Sequence, residues 1–247
     1  MKGCRRLRRV SFVDHVFAAL LILGMPIHAL RVFSRLEAAV AAGSTVARLR
    51  EYRRTLATQW TLVLALVVIW VVANREFDTL GFVAPVGWRL ALTVGAALLV
   101  LAFFINQMRT VSGSPDLEAR VRKQLSEQSA LRVLMPRTRA ETQTFVALGL
   151  TAGFCEEVLY RGFIWWYFAH ILPSLWLAAV AAIVLFGLAH AYQGKRGILL
   201  TGAVGGLALG FYLATGSLIL PIIMHATIDV TNGLMARGAL AGGPEGE

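Results

Sequence analysis

Residues 55–74 read TLATQWTLVLALVVIWVVAN, and residues 90–108 read LALTVGAALLVLAFFINQM. The two runs are 20 and 19 residues long, and neither contains a charged side chain. A stretch of about 20 apolar residues crosses a bilayer as a helix, because a helix satisfies every backbone hydrogen bond where no water is present. We therefore predict that both runs are membrane-spanning helices, and this prediction decides the fold class.

The composition of the whole chain agrees with a membrane protein. Of its 247 residues, 57% are hydrophobic and only 15% are charged, a combination that soluble domains rarely show. Further apolar runs predict an all-α, polytopic transmembrane bundle of about seven spans, within a range of roughly six to eight. The predicted spans cover residues 12–33, 56–74, 88–108, 142–169, 174–192, 197–215 and 217–236.

The charges are divided unequally along the chain. Residues 1–141 hold 20 Lys/Arg and 9 Asp/Glu, whereas residues 142–247 hold 4 and 5. Basic loops beside apolar spans face the cytoplasm, so we place the connection 109–141 and the segment 191–197 on that side. Nucleic acid binding would need a basic face on a soluble module, which this sequence lacks. The lipid bilayer is the expected partner, and the cell (inner) membrane is the expected location of this multi-pass protein.

The N-terminal third is the least defined part of the sequence. The run 12–33 follows a basic segment and lacks a small-residue cleavage site, which predicts an uncleaved anchor helix. Arginines among alanines and leucines in 34–54 predict an amphipathic helix on the membrane surface. If the anchor crosses once, the basic tail and this basic surface helix lie on opposite sides of the membrane, although basic segments are expected on the cytoplasmic side. The orientation of the N-terminus therefore stays open. Cys4 and Cys155 cannot form a disulfide framework.

These features divide the chain into four parts. Residues 1–55 form the anchor and its surface segment, and residues 56–141 form two spans with a basic polar connection. Residues 142–236 form a four-helix core, and residues 237–247 form a short tail.

Ionisable residues at membrane depth mark the candidate site. A charged side chain in the middle of a bilayer costs about 3 kcal/mol on insertion scales, so such residues are functional candidates. Residues 153–161 read GFCEEVLYR. On a helix, Glu156 and Glu157 point about 100° apart, while Glu157 and Arg161 lie four residues apart on one face and can pair. This pairing leaves Glu156 as the candidate general base.

Two later spans each carry a histidine. His190 ends one apolar run, and His225 lies four residues before Asp229 in the last span, where an aspartate can hold an imidazole in one tautomer or share a ligand position. Taken singly, these residues fit a hydrogen-bonded interior histidine or a structural ion pair. Their conjunction on three helices favours a functional site. The remaining histidines lie near span ends and are not expected to function: His15, His28 and His170.

Three short motifs, Glu156-Glu157-x-x-x-Arg161, Phe186-x-x-x-His190 and His225-x-x-x-Asp229, resemble those of the CPBP family of CAAX proteases and bacteriocin-processing enzymes, also called the Abi family. The resemblance covers residues 142–236. It implies a helical intramembrane endopeptidase, related to enzymes that remove the last three residues of prenylated CAAX proteins. A peptide or a prenylated protein would then be the substrate.

The resemblance also implies roles for the residues of these motifs. Glu156 with His190 would activate the hydrolytic water, and His225 with residue 229 would stabilise the oxyanion. Alternatively, His190 and His225 would bind a divalent metal such as zinc, so the expected peptidase is either of glutamate type or of zinc metalloprotease type. Asparagine is common in the family where this chain has Asp229. An ionised aspartate cannot donate to an oxyanion, so Asp229 must be protonated, orient His225 or help bind a metal.

Two other classes of protein compete with a peptidase. A transporter also places carboxylates and histidines in the membrane, but inverted repeats would be expected, and the spans 56–74 and 88–108 have no counterpart of this polar set. A non-catalytic member of the same fold, acting as a scaffold or in bacteriocin self-immunity, would keep the motifs without hydrolysis. The sequence leaves the substrate, metal dependence and oligomeric state open.

Overall fold

A computed structural model describes residues 10–241, and every regular element in this range is helical, as predicted. Short 3₁₀ turns occur at Phe77–Leu80 and Ala191–Gln193. The helices are α1 (Phe12–Ala41), α2 (Ala47–Val72), α3 (Trp88–Ser112), α4 (Pro115–Glu127), α5 (Ser129–Leu134), α6 (139–171), α7 (Leu175–Ala189), α8 (Gly194–Thr215) and α9 (Ile219–Ala241).

Each of the seven predicted spans coincides with one of these helices. Five helices of the described range are long and apolar enough to cross a membrane, namely α1, α2, α3, α8 with its preceding 3₁₀ turn, and α9. Helix α7 is apolar but shorter, and α6 carries the charged motif. A polytopic helical bundle is therefore confirmed.

The segment 34–54 does not form one helix, so the prediction of a single amphipathic helix there is wrong. Helix α1 continues to Ala41, a turn follows, and α2 begins at Ala47. Gly43 interrupts the helix with a φ of +80°, a left-handed conformation that favours glycine and commonly ends helices. The arginines of this segment are consequently shared between α1 and α2. The basic tail at 1–9 lies outside the described residues, whereas 237–241 of the predicted C-terminal tail extends α9.

One end of the bundle gathers the turn between α1 and α2, helix α5 and the segment 191–193. The Nε of Arg48 donates to the Val133 carbonyl at 2.8 Å, and the ring centroid of Phe33 lies 5.8 Å from that of Tyr192. The two segments that charge assigns to the cytoplasm thus lie at the same end. The start of α1 and the end of α2 lie together away from this end, since Nη2 of Arg75 lies 2.6 Å from Oδ2 of Asp14.

Helix α6 forms the centre of the bundle, between α2 and α9. Two glycines allow the close approach of α6 to α9. A Cβ atom at Gly153 would lie 2.7 Å from the backbone nitrogen of Ala226, and one at Gly149 would lie 3.1 Å from the Cβ of Asp229. Any larger residue at Gly153 would push the helices apart. The glycines therefore bring the glutamates of α6 beside the histidine of α9.

A π-helical segment, Val158–Ile164, interrupts α6 directly after Glu157, and all of its residues are buried. Such wide turns within α-helices frequently occur at functional sites. Helix α7 is held in a similar way, because a Cβ atom at Gly187 would lie 2.7 Å from the Ile198 carbonyl oxygen on α8. This contact fixes the C-terminal end of α7, where His190 follows.

Candidate active site

The ion pair predicted within α6 is present and completely enclosed. Nη1 of Arg161 donates to Oε1 of Glu157 at 2.9 Å, and the two side chains are 4% and 1% exposed. Nη2 of Arg161 donates to the Gly205 carbonyl at 3.0 Å, and the guanidinium carbon lies 4.0 Å from the centroid of the Phe186 ring. The arginine thus joins α6 to α7 and α8.

His225 is oriented by Glu157 rather than by Asp229. Its Nδ1 lies 2.8 Å from Glu157 Oε1, the same oxygen that accepts from Arg161. A carboxylate only accepts, so Nδ1 carries the hydrogen and donates it. Asp229 lies on the other side of the ring, where its Oδ2 is 3.6 Å from Nε2. The close crossing at Gly153 explains this difference, because it places Glu157 next to His225.

His190 is fixed by its own helix end. Its Nδ1 lies 2.9 Å from the Phe186 carbonyl oxygen, so this nitrogen donates to the backbone. Nε2 therefore points towards Glu156, whose Oε2 lies 3.6 Å away. The Nε2 atom of His225 lies 4.0 Å from the same oxygen. The structure thus brings the two predicted histidines together at one oxygen of Glu156.

Gln59 belongs to this cluster but was not among the predicted site residues. Its side-chain amide nitrogen donates to Oε1 of Glu156 at 2.8 Å from helix α2. The only signal in the sequence is a side-chain amide within a charge-free run, and the sequence does not indicate which helix that amide faces. The contact therefore depends on how α2 packs against α6.

The other histidines have local partners. His15 Nδ1 lies 2.7 Å from the Tyr167 hydroxyl, and His170 Nδ1 lies 2.7 Å from the Trp166 carbonyl oxygen. His28 lines the cavity described next. That these three have no role in function remains a prediction.

A cavity of about 700 Å³ opens onto the cluster. Glu156, His190, His225 and Asp229 lie on its wall, together with many aliphatic and aromatic side chains of α1, α2, α5 and α9. Gln59 lies on the same wall. The arrangement can hold a long apolar group beside two imidazoles and two carboxylates.

The donor set does not form a metal site. Among residues 10–241, no group of three or more His, Cys, Asp or Glu side chains is arranged to hold a metal ion. The nearest approaches, between Glu156 Oε2 and the Nε2 atoms of His190 and His225, are 3.6 and 4.0 Å. Sensitivity to a chelator is the test of this assignment.

Comparison with known families agrees with the motifs. Residues 138–231 match the family model described as type II CAAX prenyl endopeptidase Rce1-like. No curated protein and no solved structure matches the chain. The resemblance to CAAX proteases is thus confirmed over this region, which contains all six predicted site residues and begins well after α2, so that Gln59 lies outside it.

Proposed function

We propose that this protein is an intramembrane endopeptidase that hydrolyses a peptide bond near the C-terminus of a membrane-associated or prenylated substrate, because residues 138–231 match the model of a CAAX prenyl endopeptidase family. The proposal rests on the environment of one carboxylate oxygen, Oε2 of Glu156. Glu156 Oε2 is buried, has no hydrogen-bond partner among the described residues, and faces the Nε2 atoms of His190 and His225.

The pair Glu156 and His190 suits the activation of water. Both Oε2 of the carboxylate and Nε2 of a neutral imidazole accept hydrogen bonds, and 3.6 Å separates them. A water molecule that donates to both would direct a lone pair towards the scissile carbonyl carbon. When the oxygen–carbon bond forms, the water proton passes to Glu156, which can return it to the leaving amine as the C–N bond breaks.

His225 suits the stabilisation of the oxyanion. Its Nδ1 is committed to Glu157, and its Nε2 faces the cavity. Donation from Nε2 requires a proton on that nitrogen as well, so His225 would act here as an imidazolium. Donors aimed at a developing negative charge in a site with little water contribute strongly to catalysis. Arg161 and Glu157 then serve as the support that fixes this ring.

The cavity wall suits a substrate with a long apolar group. Its apolar side chains come from both halves of the chain, while Glu156, His190, His225 and Asp229 lie together on one part of the wall. A membrane-anchored or prenylated peptide could place its lipid against the apolar wall and its peptide bond at Glu156. An unmodified soluble peptide would lose this apolar contact, which contributes about 25 cal/mol per Å² of buried surface.

A cleavage assay in proteoliposomes tests the proposal. We expect the parent protein to cleave a farnesylated CAAX peptide faster than the same peptide without the lipid. Glu156→Gln should lower the rate about 100- to 10,000-fold, the usual contribution of a general base, with little change in melting temperature. Glu127→Gln is the matched control, because Glu127 is exposed and, among residues 10–241, pairs only with Lys123 at 3.8 Å.

Failure of the purified parent to cleave any peptide with a free C-terminus would contradict the proposal and favour a non-catalytic role for the same fold. Full activity of Glu156→Gln would instead contradict the assignment of the base.

A further inference from the structure

We propose that Gln59 is a positioning residue for Glu156, so that helix α2, outside the family-matched region, completes the active site. This inference rests on the proposed function, since it assigns Gln59 a role in the same reaction. Gln59 does not contact the reacting atoms in the mechanism above. It acts by holding one oxygen of the catalytic carboxylate.

The direction of the hydrogen bond follows from chemistry. The side-chain amide of Gln59 has a nitrogen that donates and an oxygen that accepts, whereas the carboxylate of Glu156 only accepts. The nitrogen must therefore face Oε1 of Glu156, as the distance of 2.8 Å indicates. A turned amide would set its carbonyl oxygen against a carboxylate oxygen. The side chain is also buried, with 8% exposure, which makes loss of this bond costly.

This bond decides which oxygen of Glu156 is available. The terminal side-chain torsion of a glutamate, χ3, has a broad distribution of angles, so a carboxylate without a fixed contact can rotate. Gln59 holds Oε1 on the α2 side of the site, which leaves Oε2 towards His190 and His225. The general base is thereby presented to the two imidazoles through a single oxygen.

The backbone of α2 is well suited to hold Gln59 in place. Leu62, Leu66 and Trp70 follow Gln59 at helical spacing, and all three are buried. They belong to the same core cluster as Cys155 of α6, the residue before Glu156. A side chain on a rigid, packed helix can fix a catalytic group more accurately than one on a loop.

Steady-state kinetics on the full-length protein in proteoliposomes test this role. Gln59→Met keeps the length of the side chain but removes the donor. Gln59→Asn keeps the amide but withdraws it by one methylene group, so that polarity alone cannot explain its effect. We expect both variants to lower kcat about 10- to 100-fold, as expected for loss of a hydrogen bond to a charged group, with KM within about twofold of the parent.

Thr61→Val is the matched control, since Thr61 is exposed on the same helix and its hydroxyl donates to the carbonyl of Ala57 in its own helix. It should retain the parental kcat. If one Gln59 variant does not fold, as judged by melting temperature, the other decides the result.

The outcomes separate this inference from the function on which it rests. An inactive parent would overturn the proposed function and this role with it. An active parent that loses its rate in Glu156→Gln, but keeps the parental kcat in folded Gln59→Met or Gln59→Asn, would overturn only the role of Gln59. A rise in KM with unchanged kcat would also overturn it, because that result would place Gln59 in substrate binding.

Discussion

Two buried ion pairs, one in each half of the chain, differ in how completely their groups are satisfied. In the N-terminal half, Arg75 donates to both oxygens of Asp14, at 2.7 and 2.6 Å, and Ser11 donates to the same carboxylate. The guanidinium carbon also lies within 4.7 Å of the ring centroids of Trp70 and Trp166. This pair ties α1 to the end of α2 and is closed to further partners at its carboxylate.

The second pair leaves part of its carboxylate available. Glu157 Oε1 accepts from both Arg161 and His225, whereas Oε2 is buried and has no hydrogen-bond partner among the described residues. A buried ion pair by itself is therefore no sign of a site. The informative feature is a buried pair that also binds a titratable side chain on the wall of a cavity.

The largest expected effect is an all-or-none difference in labelling between the two ends of the bundle. In a variant without its native cysteines, Ser126→Cys and Gln193→Cys should react with a reagent applied to the cytoplasmic side. Asp78→Cys, near the Asp14–Arg75 pair, should react only from the opposite side. Opposite accessibility of Ser126 and Gln193 would contradict the even number of spans between them, and would show that α6 and α7 do not both cross the membrane.

Breaking each pair should separate structural from functional importance. Glu157→Gln and Asp14→Asn each leave a buried guanidinium without its counter-charge, so each should lower the free energy of unfolding by about 3–5 kcal/mol. Only Glu157→Gln should also lower kcat in folded protein, because Glu157 orients His225. Melting temperature and kcat of both variants, measured in the same lipid, check this.

An equal loss of kcat in Asp14→Asn and Glu157→Gln would contradict this functional difference between the two ion pairs. The first pair would then influence the site across α1 and α2.

A smaller effect is expected where α6 and α9 cross. Gly153→Ala places a methyl group 2.7 Å from the backbone of Ala226, and overpacking of this kind costs about 1–3 kcal/mol. Activity should fall as well, because the methyl group displaces His225 from Glu157. Gly95→Ala on α3 is the control from the N-terminal half, since a Cβ atom there meets nothing within 4 Å. Equal melting temperatures for both variants would contradict the close crossing.

The features predicted correctly from sequence are those set by a single helix. The pairing of Glu157 with Arg161 follows from a spacing of four residues, and the separation of Glu156 from Glu157 follows from the helical angle. Charge-free runs likewise located the helices, because the bilayer imposes their length. Such relations need no knowledge of which helices are neighbours.

Contacts between helices could not be predicted in the same way. Gln59 with Glu156, and His225 with Glu157, depend on which faces of α2, α6 and α9 meet. For α6 and α9 that choice rests on the close approach at Gly153, which shape rather than periodicity determines. The predicted single surface helix over 34–54 is wrong for a related reason, because a lone glycine at position 43 does not by itself mark the boundary between two long helices.

The smallest expected effect is that of Asp229→Asn, which distinguishes metal-free from metal-dependent chemistry. In the metal-free mechanism, residue 229 accompanies His225 at the oxyanion, and an amide donates a hydrogen bond that an ionised carboxylate cannot. We therefore expect Asp229→Asn to keep or raise the parental rate, and a chelator to leave the parent unaffected. The Asp229 Oδ2 atom lies 3.6 Å from His225 Nε2, close enough for the substitution to reach the same substrate oxygen.

A zinc-dependent mechanism predicts the opposite effect of Asp229→Asn on the rate. If His190 and His225 bound a metal, the negative charge at 229 would support it, and loss of such a supporting group typically lowers affinity or activity about 10- to 100-fold. Asp229→Asn would then be slow, added zinc would partly restore it, and a chelator would inhibit the parent. Because Glu157 already orients His225 through Nδ1, the structure leaves Asp229 free of that duty, which favours the metal-free result. A chelator-sensitive parent together with a zinc-rescued variant would reverse this assignment and make His190 and His225 direct ligands.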